Sequence, residues 1–148
     1  IRELGMNIFF THCSKSKDDR LKGTGQKVSP RDLYLASFVQ QFCRECERLG
    51  LTHAIFSDLH GFVFPTDKIE WYDKNPTELL RDEKERNSLF DRAYSTLRDY
   101  SQAYFYHLPD EIRRLHPLYG MLVNDMTKRG IKITEITDLN LLSKLSRT

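Results

Sequence analysis

The sequence is poor in cysteine, in long apolar runs and in net charge. Its 148 residues include 3 cysteines, an odd number that is too small for a disulfide framework. No apolar run approaches the roughly 20 residues that a membrane-spanning helix needs, and residues 1–5 show no signal-peptide pattern. With 23 basic and 21 acidic residues the net charge is only +2, which excludes a strong whole-chain attraction to nucleic acid. These shortages favour a cytoplasmic protein whose function depends on local features.

The motifs of common cofactor and metal sites are also missing. Gly23-Thr24-Gly25 has neither the spacing nor the strand-to-helix context of a Walker loop or a dinucleotide-binding loop. Cys43 and Cys46 form a C-x-x-C pair, but no second pair completes a zinc site, and the helical pattern around them favours core packing. The sequence therefore predicts no cofactor and no metal.

What the sequence does contain is an alternation of strand and helix patterns. Met6 to His12 is an apolar run typical of a buried parallel strand, and Ser14 to Pro30 is a polar, functional loop. Pro30, with Ser29 as its cap, begins a helix that ends at Gly50 and carries Leu35 on its apolar face. Thr52 to Ser57 predicts a second strand, and Leu59 to Asn75 predicts a structured loop.

The second half continues the alternation. A long helix is predicted from Thr77 to about Tyr100, with a solvated first part at Leu79 to Ser88 and Tyr104 extending its apolar face. Ala103 to His107 fits either a short strand or the last turn of that helix. The remaining predicted elements are a helix at Asp110 to Arg129 interrupted by Pro117, a strand at Ile131 to Ile136 and a short helix at Asn140 to Leu145. This pattern predicts a single α/β domain over residues 1–148, with a three-layer, mainly parallel, Rossmann-like sheet and helices on both faces.

Three short strings fall at or beyond the predicted strand ends, where α/β sheets bind ligands. They are Cys13-Ser14-Lys15-Ser16-Lys17, Ser57-Asp58-Leu59-His60-Gly61 and Trp71-Tyr72-Asp73. In the first string, hydroxyls, backbone N–H groups and two ammonium groups suit a phosphate or carboxylate, although a solvated lysine-rich loop has the same composition. We therefore predict that Ser14, Lys15, Ser16 and Lys17 bind a ligand.

The candidate catalytic residues are Cys13, His60 and Asp73. Cys13 is a nucleophile if the two lysines lower its pKa and His60 acts as its base; otherwise it lines the ligand site, packs as a small buried residue or ligates a metal. His60 stands before Gly61, which permits a sharp turn and leaves the ring free to exchange protons near neutral pH. Asp73 is a candidate acid, base or hydroxyl-binding group.

Two aromatic residues accompany the third string. Trp71 and Tyr72 are candidates for stacking on a planar ligand, or else for anchoring a packed loop. Ser57 and Gly61 complete the predicted ligand-binding set at the second strand end.

The strings resemble, in order and spacing, a microbial family of uncharacterised small α/β proteins. That family reads C-S-x-x-K, A-R-D-L-Y, S-A-K-H-G-L and P-Y-D, and this chain has Cys13 to Lys17, Arg31 to Tyr34, Ser57 to Phe62 and Trp71 to Asp73 in their places. The resemblance implies that Arg31, Asp32 and Tyr34 join the site. Three departures occur: Pro30 replaces Ala, Asp58-Leu59 replaces Ala-Lys, and Trp71 replaces Pro.

The Cys-Ser-x-x-Lys string is also faintly similar to a domain of archaeosine synthases, which points toward nucleotides. The sequence thus predicts a small enzyme that acts on a nucleotide or modified base by hydrolysis or transfer at a glycosidic bond. In this hypothesis Lys15, Lys17 and Arg31 hold a phosphate and Tyr72 stacks on the base. The alternative is a non-catalytic module that binds a nucleotide or a partner. The expected partner is a small phosphorylated or nucleotide-like ligand, with nucleic acid left open and no membrane.

Overall fold

The computed structural model describes residues 6–146, and residues 1–5, which carry the signal-peptide interpretation, lie outside them. The strands are β1 (Asn7–His12), β2 (Lys27–Val28), β3 (His53–Ser57), β4 (Gly61–Val63), β5 (Ile69–Glu70), β6 (Gln102–Tyr106) and β7 (Ile133–Ile136). The helices are α1 (Pro30–Leu33), α2 (Ser37–Leu49), α3 (Thr77–Arg81), α4 (Glu83–Leu97), α5 (Pro117–Lys128) and α6 (Leu141–Leu145). Within the described range, the helices are too short or too polar to cross a bilayer.

The main sheet has five strands in the order β4-β3-β1-β6-β7. β1 pairs in parallel with β3 and with β6, and β6 pairs in parallel with β7, whereas the short β4 is antiparallel to β3. The prediction of an α/β fold with a mainly parallel sheet is therefore confirmed. Because the chain passes from β1 to β3 on one side and later enters β6 on the other, a ligand crevice is expected where β1 and β6 end.

Neighbouring residues of the central strand β1 pack into two different clusters of buried side chains. Ile8 and Phe10 pack with residues of α3, α4 and α5. Phe9 packs with residues of α1, α2 and α6, in a cluster that also contains Cys43 and Cys46. The side-chain period of two along a strand explains this alternation, and both cysteines of the C-x-x-C pair are core residues as predicted.

The first predicted helix is broken by a stretch of extended backbone. Tyr34 has φ −88° and ψ 109°, and it forms a single bridge with Lys17 in the polar loop. Leu35 is predicted on the apolar face of this helix, but it lies in the break between α1 and α2 and is 46% exposed.

The predicted loop at 59–75 contains two short strands, β4 and β5, which pair with β3 and with β2. The predicted long helix is interrupted at Asp82, whose side chain accepts a hydrogen bond from the Glu85 N–H and caps α4. Leu79 is fully buried rather than solvated, because α3 contributes it to the core. The many charged residues around Leu79 therefore predict a solvated segment, although α3 packs against the core.

Two further predictions concern β6 and α5. The segment at 102–106 is a strand, and Tyr104 belongs to it rather than to the preceding helix. The predicted helix at 110–129 begins only at Pro117, where the His116 side chain accepts a hydrogen bond from the Leu118 N–H. Proline at the first helical position disfavours helical backbone in the residue before it, so the segment 110–116 is free to form a loop.

Candidate functional site

A cavity of about 1170 Å³ lies beyond the carboxyl ends of β1 and β6. Its wall combines the residues after β1, the start of the β3–β4 turn, the segment 71–76, the loop 113–116 and the first turn of α5. From the sequence-predicted set, the cavity is lined by Cys13, Ser14, Lys15, Lys17, Tyr72 and Asp73. Residues of the first and third strings therefore meet here, and Asp58 represents the second string.

The first string is held in place by backbone hydrogen bonds to the α1 region. The Asp18 N–H donates to the Leu33 carbonyl (2.9 Å), and the Leu35 N–H donates to the Ser16 carbonyl (3.0 Å). The buried Ser14 hydroxyl also donates to the Ser16 carbonyl, at 2.8 Å. Ser16 itself is exposed and does not line the cavity, so its contribution is the turn that it stabilises.

The turn after β3 is organised by Ser57. Its hydroxyl oxygen accepts hydrogen bonds from the Leu59 and His60 N–H groups, at 3.1 and 3.0 Å, and lies 2.9 Å from the Tyr72 hydroxyl. Ser57 does not line the cavity and is fully buried. Its contacts fix the backbone that presents Asp58.

A buried hydrogen-bond network surrounds the Asp58 carboxyl. The Tyr72 hydroxyl donates to Oδ1 at 3.1 Å, and the Cys13 thiol lies 3.5 Å from the same oxygen. Tyr34 Oη is 2.6 Å from Tyr72 Oη, which leaves Tyr72 accepting from Tyr34 and donating to Asp58. Asp58 is 3% exposed, and this burial raises the pKa of its carboxyl above the ordinary aspartate value.

The second carboxylate oxygen of Asp58 is the open one. Within residues 6–146, Oδ2 makes no hydrogen bond, but it is not sealed from solvent. Asp58 lines the cavity, so Oδ2 is available to water or to a ligand there. The sequence places Asp58 in the second string but gives it no role of its own, although a carboxylate directly after a buried strand is a usable signal.

Cys13 is a thiol, not a thiolate, at neutral pH. Burial and then the neighbouring Asp58 carboxyl raise the pKa of Cys13 to about 12, and these effects exceed the opposing one of Lys17. Lys17 therefore acts in the expected direction, but its effect is too small to produce the nucleophilic thiolate. Tyr119 Oη lies 3.4 Å from Sγ, and the Asp58 N–H donates to Sγ at 3.4 Å, so the thiol links β1 to the β3–β4 turn.

His60 and Gly61 lie outside the cavity wall. His60 is exposed overall, and its ring sits edge-on to Tyr72 with the ring centroids 5.3 Å apart. Partial desolvation of the ring and then the nearby Arg92 lower the pKa of His60. Asp73 lines the cavity but is exposed. Our sequence assignment of proton transfer to His60 and Asp73 therefore has less geometric support than Asp58 has.

Arg31 and Asp32 line a separate, smaller cavity of about 300 Å³ between the α1–α2 region and β3–β4. Arg31 pairs with Glu47 of α2, and Tyr34 is fully buried. The inference that these three residues join the site is corrected in this respect: α1 anchors the first string through its backbone, and only the Tyr34 hydroxyl reaches the network.

Gly61→Ala tests whether this glycine serves the backbone or a ligand. Its φ is +77°, while an added Cβ would meet only Arg92 and Leu89 atoms at an ordinary 3.9 Å. The expected result is a loss of about 1–2 kcal/mol of unfolding free energy in urea, caused by the left-handed backbone alone. Gly120→Ala is the matched control, because Gly120 lies within α5 with nothing within 4 Å of its Cβ position, and this change should stabilise by up to about 1 kcal/mol. An equal effect of both changes would contradict the backbone explanation.

The cavity wall also contains basic residues that sequence reasoning missed. Lys74, Arg113 and Arg114 join Lys15 and Lys17, and Lys22 lies over the Trp71 ring at 5.0 Å. Within residues 6–146, no ion pair involves Lys15, Lys17, Arg113 or Arg114, whereas Lys74 is paired with Glu85 and Glu78. These four cations border the cavity without an ion pair and, together with Lys22 and Lys74, outnumber its four carboxylates, which are Asp19, Asp58, Asp73 and Glu78. This balance suits an anionic ligand.

Tyr72 is committed to the network rather than open for stacking. Lys17 Nζ lies 4.6 Å from its ring centroid, and its hydroxyl contacts Tyr34, Ser57 and Asp58. Trp71 is half-buried in the same wall and takes no part in the Asp58 network, although Lys22 lies over its ring and its Nε1–H donates to Asp19 Oδ1 at 3.2 Å. It is the second aromatic surface that a planar group could meet.

Comparison of the chain with known protein families, with curated proteins and with solved structures returns no match. The resemblance to the uncharacterised microbial family therefore stays a prediction. Over the described range, no group of three or more His, Cys, Asp or Glu side chains is arranged to hold a metal ion.

Proposed function

We propose that this protein is a small enzyme that binds a nucleotide or modified-base nucleotide in the large cavity and cleaves its glycosidic bond. The observation that carries the proposal is the Asp58 carboxyl, which is buried, has a raised pKa and offers Oδ2 to a cavity bordered by cations that form no ion pair. Perturbed carboxyls in ligand-sized cavities are typical of proton-transfer sites.

Asp58 would act as a general base toward water. The two hydrogen-bond donors at Oδ1 favour the ionised form of the Asp58 carboxyl. Oδ2 takes a proton from a bound water molecule while the oxygen of that water attacks the anomeric carbon of the sugar. The bond between the anomeric carbon and the nucleobase nitrogen breaks, and the nucleobase leaves with the bonding electron pair. The nucleobase is then protonated, which balances the proton that Asp58 has taken from water. In a transfer reaction, an acceptor hydroxyl would replace the water.

Lys15 and Lys17 on one side and Arg113 and Arg114 on the other would hold the phosphate. These residues replace Arg31 of the original hypothesis, because Arg31 lines the smaller cavity. Trp71 would face the base, and Cys13 would hold Asp58 in position without reacting.

Two broader features belong to the same proposal. We infer a three-layer, Rossmann-like arrangement, which is supported by the alternation of β1 side chains between the two helix-containing clusters. We also infer a cytoplasmic location, which is supported by the three free cysteines within the described chain.

The proposal predicts that Lys17→Met weakens nucleotide binding about 10-fold or more, because a charge-assisted hydrogen bond is lost while the side-chain stem stays on Tyr72. Thermal-shift titration with adenosine, guanosine, cytidine and uridine 5′-monophosphates measures binding, and chromatography measures release of the free base. Lys128→Met, an exposed change at the far end of α5, is the control. Binding with no free base would indicate the non-catalytic module, and equal effects of both variants would contradict the site.

A further inference from the structure

His12 is a cavity residue that the proposed chemistry does not use. It is the last residue of β1, and its ring lies between Phe38 and Tyr119, with centroid distances of 4.8 and 4.4 Å. The residue is 9% exposed, and it lines the large cavity. The ring is therefore held rigidly at the point where β1 ends.

The hydrogen bonds of His12 determine which nitrogen carries the proton. Nδ1 lies 2.8 Å from the carbonyl oxygen of Cys13, and because a carbonyl only accepts, Nδ1 must donate. Burial lowers the pKa of His12 to about 4, so the ring is neutral near pH 7. Nε2 then has a lone pair and no hydrogen, which makes it an acceptor only.

Three histidines line the cavity, and the other two use both of their nitrogens. His107, which follows β6, donates from Nδ1 to the Leu108 carbonyl and places Nε2 2.9 Å from Glu135 Oε1. His116 accepts the Leu118 N–H at Nδ1 and lies 3.1 Å from the Thr77 hydroxyl through Nε2.

His12 differs in that Nε2 has no partner within residues 6–146. His12 Nε2 is not sealed from solvent, because the residue lines the cavity. His107 lies directly after β6 and makes the same kind of Nδ1 contact, yet its Nε2 is occupied, so a histidine near a strand end is not always left without an Nε2 partner.

The basic groups that face His12 disfavour its imidazolium form. Arg113 from the loop after β6, His107 at the end of β6 and His116 at the start of α5 each lower its pKa, in addition to burial. An anion is therefore expected beside the arginines rather than on a protonated His12.

We infer that His12 Nε2 accepts a hydrogen bond from the ligand, so the ligand must present a neutral O–H or N–H donor at the end of β1. This inference rests on the proposed function for the identity of the ligand, and it assigns a second contact of different chemistry from the phosphate site. A site built around an unpaired acceptor rejects ligands that lack the donor, because the buried nitrogen loses its water without compensation.

The test uses His12→Phe, which keeps a ring between Phe38 and Tyr119 but has no acceptor. We expect affinity for the tightest-binding nucleoside 5′-monophosphate to fall about 10-fold. Affinity for sulfate, which has no hydrogen to donate near pH 7, should stay unchanged. His53→Phe is the matched control, since His53 begins β3 and lines the smaller cavity. The 2′-deoxy analogues distinguish a sugar hydroxyl from a base N–H: a His12 effect that vanishes with them identifies the hydroxyl.

A ligand-free measurement adds a second arm. Histidine ¹⁵N spectra should show Nδ1 protonated and Nε2 unprotonated for His12 from pH 5.5 to 8. A protonated Nε2 in this range would overturn the inference, as would a loss of sulfate binding in His12→Phe.

If no nucleotide binds the wild type, the proposed function fails, and phosphate at pH 6, which carries a P–OH donor, is then compared with sulfate. A preference for phosphate that His12→Phe removes supports the inference; no such difference overturns it.

Discussion

Asp58→Asn is expected to lower the rate of glycosidic cleavage by roughly 10²- to 10⁴-fold, the usual contribution of a general base. The amide oxygen of asparagine still accepts the Tyr72 hydroxyl, and the backbone N–H of residue 58 still reaches Cys13 Sγ. The network should therefore keep its shape while the proton acceptor is lost. Nucleotide affinity should change far less than the rate, and single-turnover assays with parallel binding titrations separate the two quantities.

Asp73→Asn is the matched control for this prediction. Asp73 lines the same cavity, but its side chain is exposed and belongs to no network around Asp58. A small effect is expected. If Asp73→Asn removed turnover while Asp58→Asn left it intact, the assignment made from the sequence would be right and the one made from the geometry wrong.

The pH profile provides a further check on Asp58. A base must be ionised, so the rate should fall as the pH drops through the pKa of this carboxyl. Because burial raises that pKa, the fall should begin at a higher pH than for an ordinary aspartate with a pKa of about 3.9. Any residual activity of Asp58→Asn should lack this acid limb.

The sequence predicts strands β1 and β3 well, but it misses the edge strand β4 and the breaks in the helices. The apolar runs at β1 and β3 are buried, and buried strands have a strong local signal. The break at Tyr34 accompanies a bridge to Lys17 in the preceding loop, which a local pattern does not contain. The break at Asp82 has a local signal that sequence reasoning missed, because an aspartate three residues before Glu85 is a typical helix N-cap. Both segments have helical composition on either side of the break.

The candidate site divides along the same line. The first and third strings could be placed at the cavity because the carboxyl ends of parallel strands lie at one edge of a sheet. Arg113 and His116 could not be placed at the cavity from the sequence. They follow β6, about 100 residues after Cys13, in a segment whose pattern predicts a helix. His12 was treated only as part of a strand, because nothing local shows whether the last residue of a strand has a partner.

The Arg31 to Tyr34 string illustrates why motif order alone does not define a site. Leu33 and Tyr34 are fully buried, and the backbone around them accepts and donates the hydrogen bonds that hold Ser16 and Asp18. The α1 segment can thus accompany the first string in sequence because it supports the loop. The Tyr34 hydroxyl adds one contact to Tyr72, so its influence on Asp58 is indirect.

Phe10→Ala is expected to give the largest loss of stability, about 3–5 kcal/mol of unfolding free energy. Phe10 is fully buried in the central strand, stacks on Phe105 with centroids 4.8 Å apart and meets Phe62 edge-on at 4.9 Å. These neighbours belong to β6 and β4, so the side chain joins three strands of the main sheet. Their rigid backbones limit how far the cavity left by alanine can collapse. Urea denaturation monitored by circular dichroism measures the change.

Phe64→Ala is the matched control, because Phe64 is only partly buried and follows β4 at the edge of the sheet. Its removal should cost clearly less than that of Phe10. Since Phe10 lies two residues before His12, its truncation should also loosen the carboxyl end of β1 and weaken nucleotide binding under conditions where the protein is still folded. A loss below about 1 kcal/mol, or unaltered ligand affinity in the folded variant, would show that the end of β1 is held by its loop contacts rather than by the core beneath it.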